Sequence, residues 1–80
     1  MPYFIYVIKS ITCGTRYIGS TGEVEQRLSA HNSGKCAYTK NRRPWILIYK
    51  EEFPTLPEAR KRETYLKTGQ GREFLDKVIK

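Results

Sequence analysis

Residues 3 to 8 read Tyr-Phe-Ile-Tyr-Val-Ile, an unbroken run of β-branched, aliphatic and aromatic side chains. A run this short suits a strand better than a helix. Successive strand residues point to opposite faces, so an apolar run without alternation needs cover on both. The first strand is therefore central, or covered twice. With 80 residues, the chain has length for one domain, and a domain this small buries only about 60% of the surface of its unfolded form. Any active site has to share the one core.

Residues 9 to 15 carry Ser10, Thr12 and Gly14 and lead into a second short strand at residues 16 to 19, which predicts an antiparallel hairpin. Period-two alternation puts Phe4, Tyr6 and Ile8 on one face of the first strand, and Tyr17 and Gly19 on one face of the second. Ser20 with Glu23 fits a capping box ahead of a helix over residues 23 to 32. On that helix Val24, Leu28 and His31 follow the apolar spacing with Arg27 beside Leu28, which brings an imidazole and a cation to the inward face. Residues 33 to 44 form a loop with Lys35, Lys40, Arg42 and Arg43, no acidic residue, and Tyr38 in its middle.

Residues 45 to 53 read as a third strand. A second capping box, Thr55 to Glu58 with Pro57 in the first turn, opens a helix to about Thr68, stopped by Gly69 and Gly71. A terminal helix over residues 72 to 79 packs Phe74, Leu75, Val78 and Ile79. The expected fold class is α/β (α+β): a small three-stranded antiparallel sheet flanked by about three helices. In the second helix Leu56, Ala59 and Leu66 trace the inward stripe, and Glu63 stands where an aliphatic belongs. A carboxylate there protonates, pairs with a cation or holds a metal. From this helix alone, a salt bridge at the edge of the stripe is the simpler account.

Fifteen Lys and Arg against eight Asp and Glu give a formal charge of +7 and a pI near 9.7, the footprint of a polyanion binder. Charge alone does not separate a nucleic-acid protein from a small basic domain with no such role. The apolar runs fall far below the roughly 20 residues that span a bilayer, and no signal-peptide pattern opens the chain. A cytoplasmic protein without membrane association is expected. In that setting Cys13 and Cys36 are expected to be free thiols, and with only His31 beside them they do not make a four-ligand zinc site.

Arg27, His31 and Glu63 together with two strand tyrosines describe a polar pocket opening from a small core. Phe4-Ile5-Tyr6 and Tyr17-Ile18-Gly19 are spaced like the two signature triplets of the GIY-YIG nucleases, whose modules also form the N-terminal nuclease part of a bacterial excinuclease and recur in junction-cutting endonucleases. The resemblance continues through Gly19-Ser20-Thr21, Glu25-Gln26-Arg27-Leu28, His31-Asn32-Ser33-Gly34, Arg43-Pro44-Trp45, Glu58-Ala59 and Arg62-Glu63. It covers essentially the whole chain. Phe4 replaces the leading glycine of the first triplet, and no Asn follows Asn41, where nuclease members often carry one; Gln70 is the candidate substitute.

The resemblance implies the GIY-YIG fold over residues 1 to 80, with catalytic residues Tyr6, Tyr17, Arg27, His31 and Glu63. Glu63 would hold a single Mg2+ or Mn2+. Arg27 would neutralise the phosphoryl oxygens. Resemblance points to Tyr17 or Tyr6 as general base, and His31, which titrates near neutrality, is the alternative. Lys35, Tyr38, Lys40, Arg42 and Arg43 are the expected nucleic-acid contacts. The expected substrate is DNA in preference to RNA, cut by structure rather than sequence in repair or recombination, with a protein partner or a homo-oligomer supplying specificity. The competing expectation is a catalytically weak or inactive nucleic-acid-binding module that recruits a partner.

Overall fold

The computed structural model of the protein describes residues 2–79. Its sheet contains β1 (Tyr3–Ser10), β2 (Arg16–Thr21) and β3 (Trp45–Phe53), and its helices are α1 (Val24–Asn32), α2 (Leu56–Leu66) and α3 (Gly69–Val78), with a 3-10 turn at Lys40–Arg42. The strand order is β2-β1-β3, and both pairings are antiparallel. The expected three-stranded sheet with three helices is what forms.

The apolar run is the central strand and is covered twice. Ile5 and Val7 pack with Ala59 and Leu66 of α2 and Leu75 of α3, while Tyr6 and Ile8 pack with Val24 of α1 and with Trp45. Strand β3 does not alternate because a bulge at the Val7/Ile8 pairing leaves Ile48 unmatched. Ile48 and Tyr49 then both pack on the α2–α3 side, and Leu47 turns to the other. Helix α2 is locked to β3 by Arg62, whose Nε lies 2.8 Å from Glu51 Oε1. The Tyr49 hydroxyl donates to the same carboxylate, and the Arg62 guanidinium rests over Phe74 at 4.9 Å.

Several local expectations are corrected. Ser20 does not cap α1: it belongs to β2, and the cap position is Glu23 without a side-chain bond. Only the Thr21 hydroxyl reaches back, accepting from the Glu23 amide at 3.0 Å. The second box does cap, with Thr55 accepting from the Glu58 amide. Helix α2, however, stops at Leu66, and Gly69 and Gly71 lie in the first turn of α3 under the Thr68 cap. Val78 is exposed rather than packed. Only two residues, Lys67 and Thr68, separate α2 from α3, and the corner is so tight that a Cβ on Gly71 would strike the Tyr65 carbonyl and the Leu66 Cα.

Those atoms are backbone and have nowhere to go. Gly71→Ala is therefore expected to cost about 1–3 kcal/mol or more in urea unfolding. Gly69→Ala, whose Cβ would meet nothing within 4 Å, is expected to leave the midpoint unchanged or raise it slightly.

Candidate active site

Register puts Tyr6 opposite Gly19 and Ile8 opposite Tyr17, so both signature tyrosines rise from the α1 side of the sheet. A Cβ on Gly19 would lie 2.5 Å from the Tyr6 hydroxyl oxygen. The ring of Tyr6 thus lies across the glycine, which is why no larger residue fits that point of β2. Tyr6 is 1% exposed, so its hydroxyl needs a partner, and His31 Nε2 stands 3.1 Å away. His31 Nδ1 in turn lies 2.8 Å from Thr39 Oγ1, which reaches the Cys36 carbonyl at 3.4 Å. One donor direction satisfies the whole chain. Tyr6 O–H donates to Nε2, Nδ1–H donates to Thr39, and Thr39 donates to Cys36, which makes His31 a neutral imidazole protonated on Nδ1.

Neutral His31 agrees with its electrostatics: burial, and secondarily the charge of Arg27, push its pKa below the ordinary value. Burial raises the Tyr6 hydroxyl above the usual phenol range although Arg27 pulls the other way. The polar contact with Tyr6 holds Arg27 all the more firmly protonated, with Tyr17 adding to the effect. Arg27 itself is exposed and flanks the buried stripe of α1 instead of belonging to it, a correction to the inward placement expected from helical spacing. Tyr17 is half-buried and central, with ring centroids 4.9 Å from His31, 5.8 Å from Tyr38, 6.4 Å from Tyr6 and 6.5 Å from Trp45.

Glu63 arrives from the other face of the sheet. Its side chain is 20% exposed, with Oε1 accepting from Ser20 Oγ at 2.7 Å and Oε2 from Lys67 Nζ at 2.8 Å. Four of the five expected catalytic residues therefore share the α1 face, and the fifth meets β2 from behind, one residue past Gly19. Its charge still reaches Tyr6 across the strand. Among the described residues no group of three or more His, Cys, Asp or Glu side chains could hold a metal. Mg2+ and Mn2+ do not need one, since they commonly take one or two carboxylates and complete their shell with water and phosphate. The Glu63 carboxylate offers hard oxygen of that kind, and the donor set fits.

The edge position of β2 makes a groove. About 720 Å³ of open space runs past Thr15, Arg16, Tyr17, Tyr38, Lys67 and Arg72. Arg16, Lys67 and Arg72 were not among the expected nucleic-acid contacts, because nothing in the sequence says which strand is outermost. Of those that were, Lys35 and Lys40 are exposed and Tyr38 lines the groove. Arg42 and Arg43 brace their own loop, donating to the carbonyls of Tyr38 and Lys40. Sequence reasoning also missed Asn32 and Thr39. Asn32 pairs both backbone groups of Trp45, at 2.6 and 3.0 Å, and the Trp45 indole donates to the Thr39 carbonyl at 2.9 Å. Asn32 follows His31 directly, and that adjacency was the available signal.

A family model described as the GIY-YIG catalytic domain matches residues 2–74. The chain belongs to the GIY-YIG family. Its curated relatives include UPF0213 protein SH2523 of Staphylococcus haemolyticus, 43% identical over 77 residues that cover 95% of this chain and 93% of that protein. UPF0213 protein SSP2268 of Staphylococcus saprophyticus is 45% identical over 67 residues, covering 82% of this chain and 80% of that one. Among solved structures, the solution NMR structure of UPF0213 protein BH0048 from Bacillus halodurans matches with a TM-score of 0.58 and 31% identity, over 98% of this chain and 85% of that one. GIY-YIG is a nuclease family, and the tyrosines, Arg27, His31 and Glu63 all lie within the residues that its model matches.

The depressed His31 pKa carries a sign. The unfolded chain takes up a proton near the ordinary value of about 6.5, which the folded chain refuses until lower pH. Stability from this group is fully present above about pH 6.5 and is lost as pH falls from there toward the folded pKa. Urea unfolding at pH 7.5 and 5.5 is expected to show a larger loss for the wild type than for His31→Gln.

Proposed function

We propose that this GIY-YIG protein is a metal-dependent endonuclease that hydrolyses phosphodiester bonds in nucleic acid, with DNA favoured over RNA and substrate structure favoured over base sequence. The observation that carries the reading is the place of Tyr17, which belongs both to the Tyr6–Arg27–His31 cluster and to the wall of the cationic groove. A phosphate held in that groove by Arg16, Lys67 and Arg72 lies beside the cluster. Arg27, always charged, presents planar donors to the non-bridging oxygens as their negative charge grows.

Of the three candidate bases, geometry favours Tyr17. Tyr6 is buried, has a raised pKa and spends its hydroxyl on a hydrogen bond to His31. His31 is 1% exposed and has both nitrogens bonded. Tyr17 alone of the three faces the groove. Tyr6, His31 and Thr39 then act as a positioning chain that holds the Tyr17 ring. Glu63 would hold the divalent ion, whose contribution when bound is to polarise the phosphoryl oxygens and a coordinated water.

A second reading has its own observation. Glu63 is already hydrogen-bonded by Ser20 and paired with Lys67, as in a nucleic-acid-binding module that no longer cuts. Plain, flapped and branched DNA and RNA, incubated with protein and Mg2+ or Mn2+, decide between them. The nuclease reading expects cleavage by the wild type, a fall of at least about 10²-fold in Arg27→Ala, and no turnover in Glu63→Gln with binding in EDTA retained. Binding without cleavage under every condition would establish the module instead.

A further inference from the structure

Tyr38 is 59% exposed, unusual for a large ring. It is nevertheless held in place. The Arg42 guanidinium lies 5.3 Å over it and donates to the Tyr38 carbonyl at 3.2 Å, while the Tyr17 ring stands 5.8 Å away. The loop that carries it is fastened to the end of β1 by Ser10, which is fully buried and donates to the Arg42 carbonyl at 2.7 Å. An anchored aromatic therefore projects into a groove whose other walls include Arg16, Lys67 and Arg72. Asp76 pairs with Arg16 and Glu63 with Lys67 through side chains that are partly solvated, so both cations stay open to exchange.

Cations along a groove bind backbone phosphates, and an aromatic face among them binds the flat face of a base. The paired bases of a duplex spend their faces on stacking and present only edges to a protein. A ring placed this way offers a stacking face to a base that has left the stack. The space of about 720 Å³ lies within the roughly 300–1,000 Å³ of small-ligand pockets, which is room for a nucleotide.

We infer that Tyr38, with Tyr17 behind it and Arg16, Lys67 and Arg72 around it, forms a subsite for one unpaired nucleotide beside the reacting phosphate. The substrate class is then single-stranded or flapped nucleic acid. This rests on the nuclease reading of the same site and specifies what that site takes.

The test is equilibrium binding in EDTA, where nothing is cut, of a single-stranded 12-mer carrying 2-aminopurine, in DNA and RNA arms, against a blunt duplex of the same sequence. The wild type is expected to bind the single strand tighter than the duplex and to quench the 2-aminopurine. Tyr38→Ala is expected to lose roughly 5- to 100-fold on the single strand, under about 2-fold on the duplex, and the quench. Tyr38→Phe keeps all three, which separates stacking from a disturbed loop. The tighter of the two arms names the sugar. Equal binding of duplex and single strand, or a single-strand affinity indifferent to Tyr38→Ala, overturns the subsite while cleavage by the wild type leaves the nuclease reading standing. Absence of both binding and cleavage for every nucleic acid overturns the two together.

Discussion

Burial of β1 on both faces is the constraint from which the rest of the structure follows. With Ile5, Val7 and Ile8 fully buried, the strand must lie between two layers, and the helices divide accordingly: α1 on one face, α2 and α3 on the other. Tyr6 brings a polar group into the middle of this strand, as Ser10 does at its end. An unpaired buried hydroxyl costs about 1–3 kcal/mol, and the chain avoids that cost by extending a line of hydrogen bonds through His31 to Thr39 and the Cys36 carbonyl. Among the described residues no buried side-chain nitrogen or oxygen is left without a partner. The polar order of the loop after α1 is thus imposed by a tyrosine two elements earlier.

Elements governed by local chemistry were legible in the sequence, and elements governed by three-dimensional neighbours were not. Residues 45 to 53 could be delimited as a strand, and pleat alternation grouped Tyr6 with Ile8 and Tyr17 with Gly19, each pair on one face of its own strand, because period and composition act within a few residues. Ser20 followed by Glu23 has the form of a capping box, yet β2 continues to Thr21 because Ser20 is paired opposite Ile5 and bonded to Glu63. Gly69 and Gly71 have the form of a helix stop, but Gly71 is required by the backbone of the preceding helix, which sequence spacing does not reveal. The groove cations Arg16, Lys67 and Arg72 depend on which strand is outermost. That is a property of the closed sheet, and no window of residues carries it.

Glu63 illustrates how little a local ion pair settles. Lys67 lies one turn along α2, and pairs at this spacing between partly exposed side chains are worth only about 0.3–0.5 kcal/mol. With Lys67 54% exposed, the pair is weak enough to exchange for another charge without disturbing α2. The Ser20 bond is different in kind. It fixes a carboxylate oxygen against β2 beside Gly19, the point over which Tyr6 lies. The simple salt-bridge account and the functional account of Glu63 are therefore compatible: the lysine balances the charge, and the serine sets the geometry.

The three tyrosines also differ in a way that orders them. Tyr6 is buried, Tyr17 half-buried and Tyr38 59% exposed, and their rings lie in sequence, Tyr17 between the other two at 6.4 and 5.8 Å. A ring in the core has one orientation because packing and its hydroxyl bond leave no other, whereas a ring in solvent has several. Placing Tyr17 between them transmits the rigidity of the first to the surroundings of the last through direct contact. The position of the groove wall then depends on the same buried strand that organises the core.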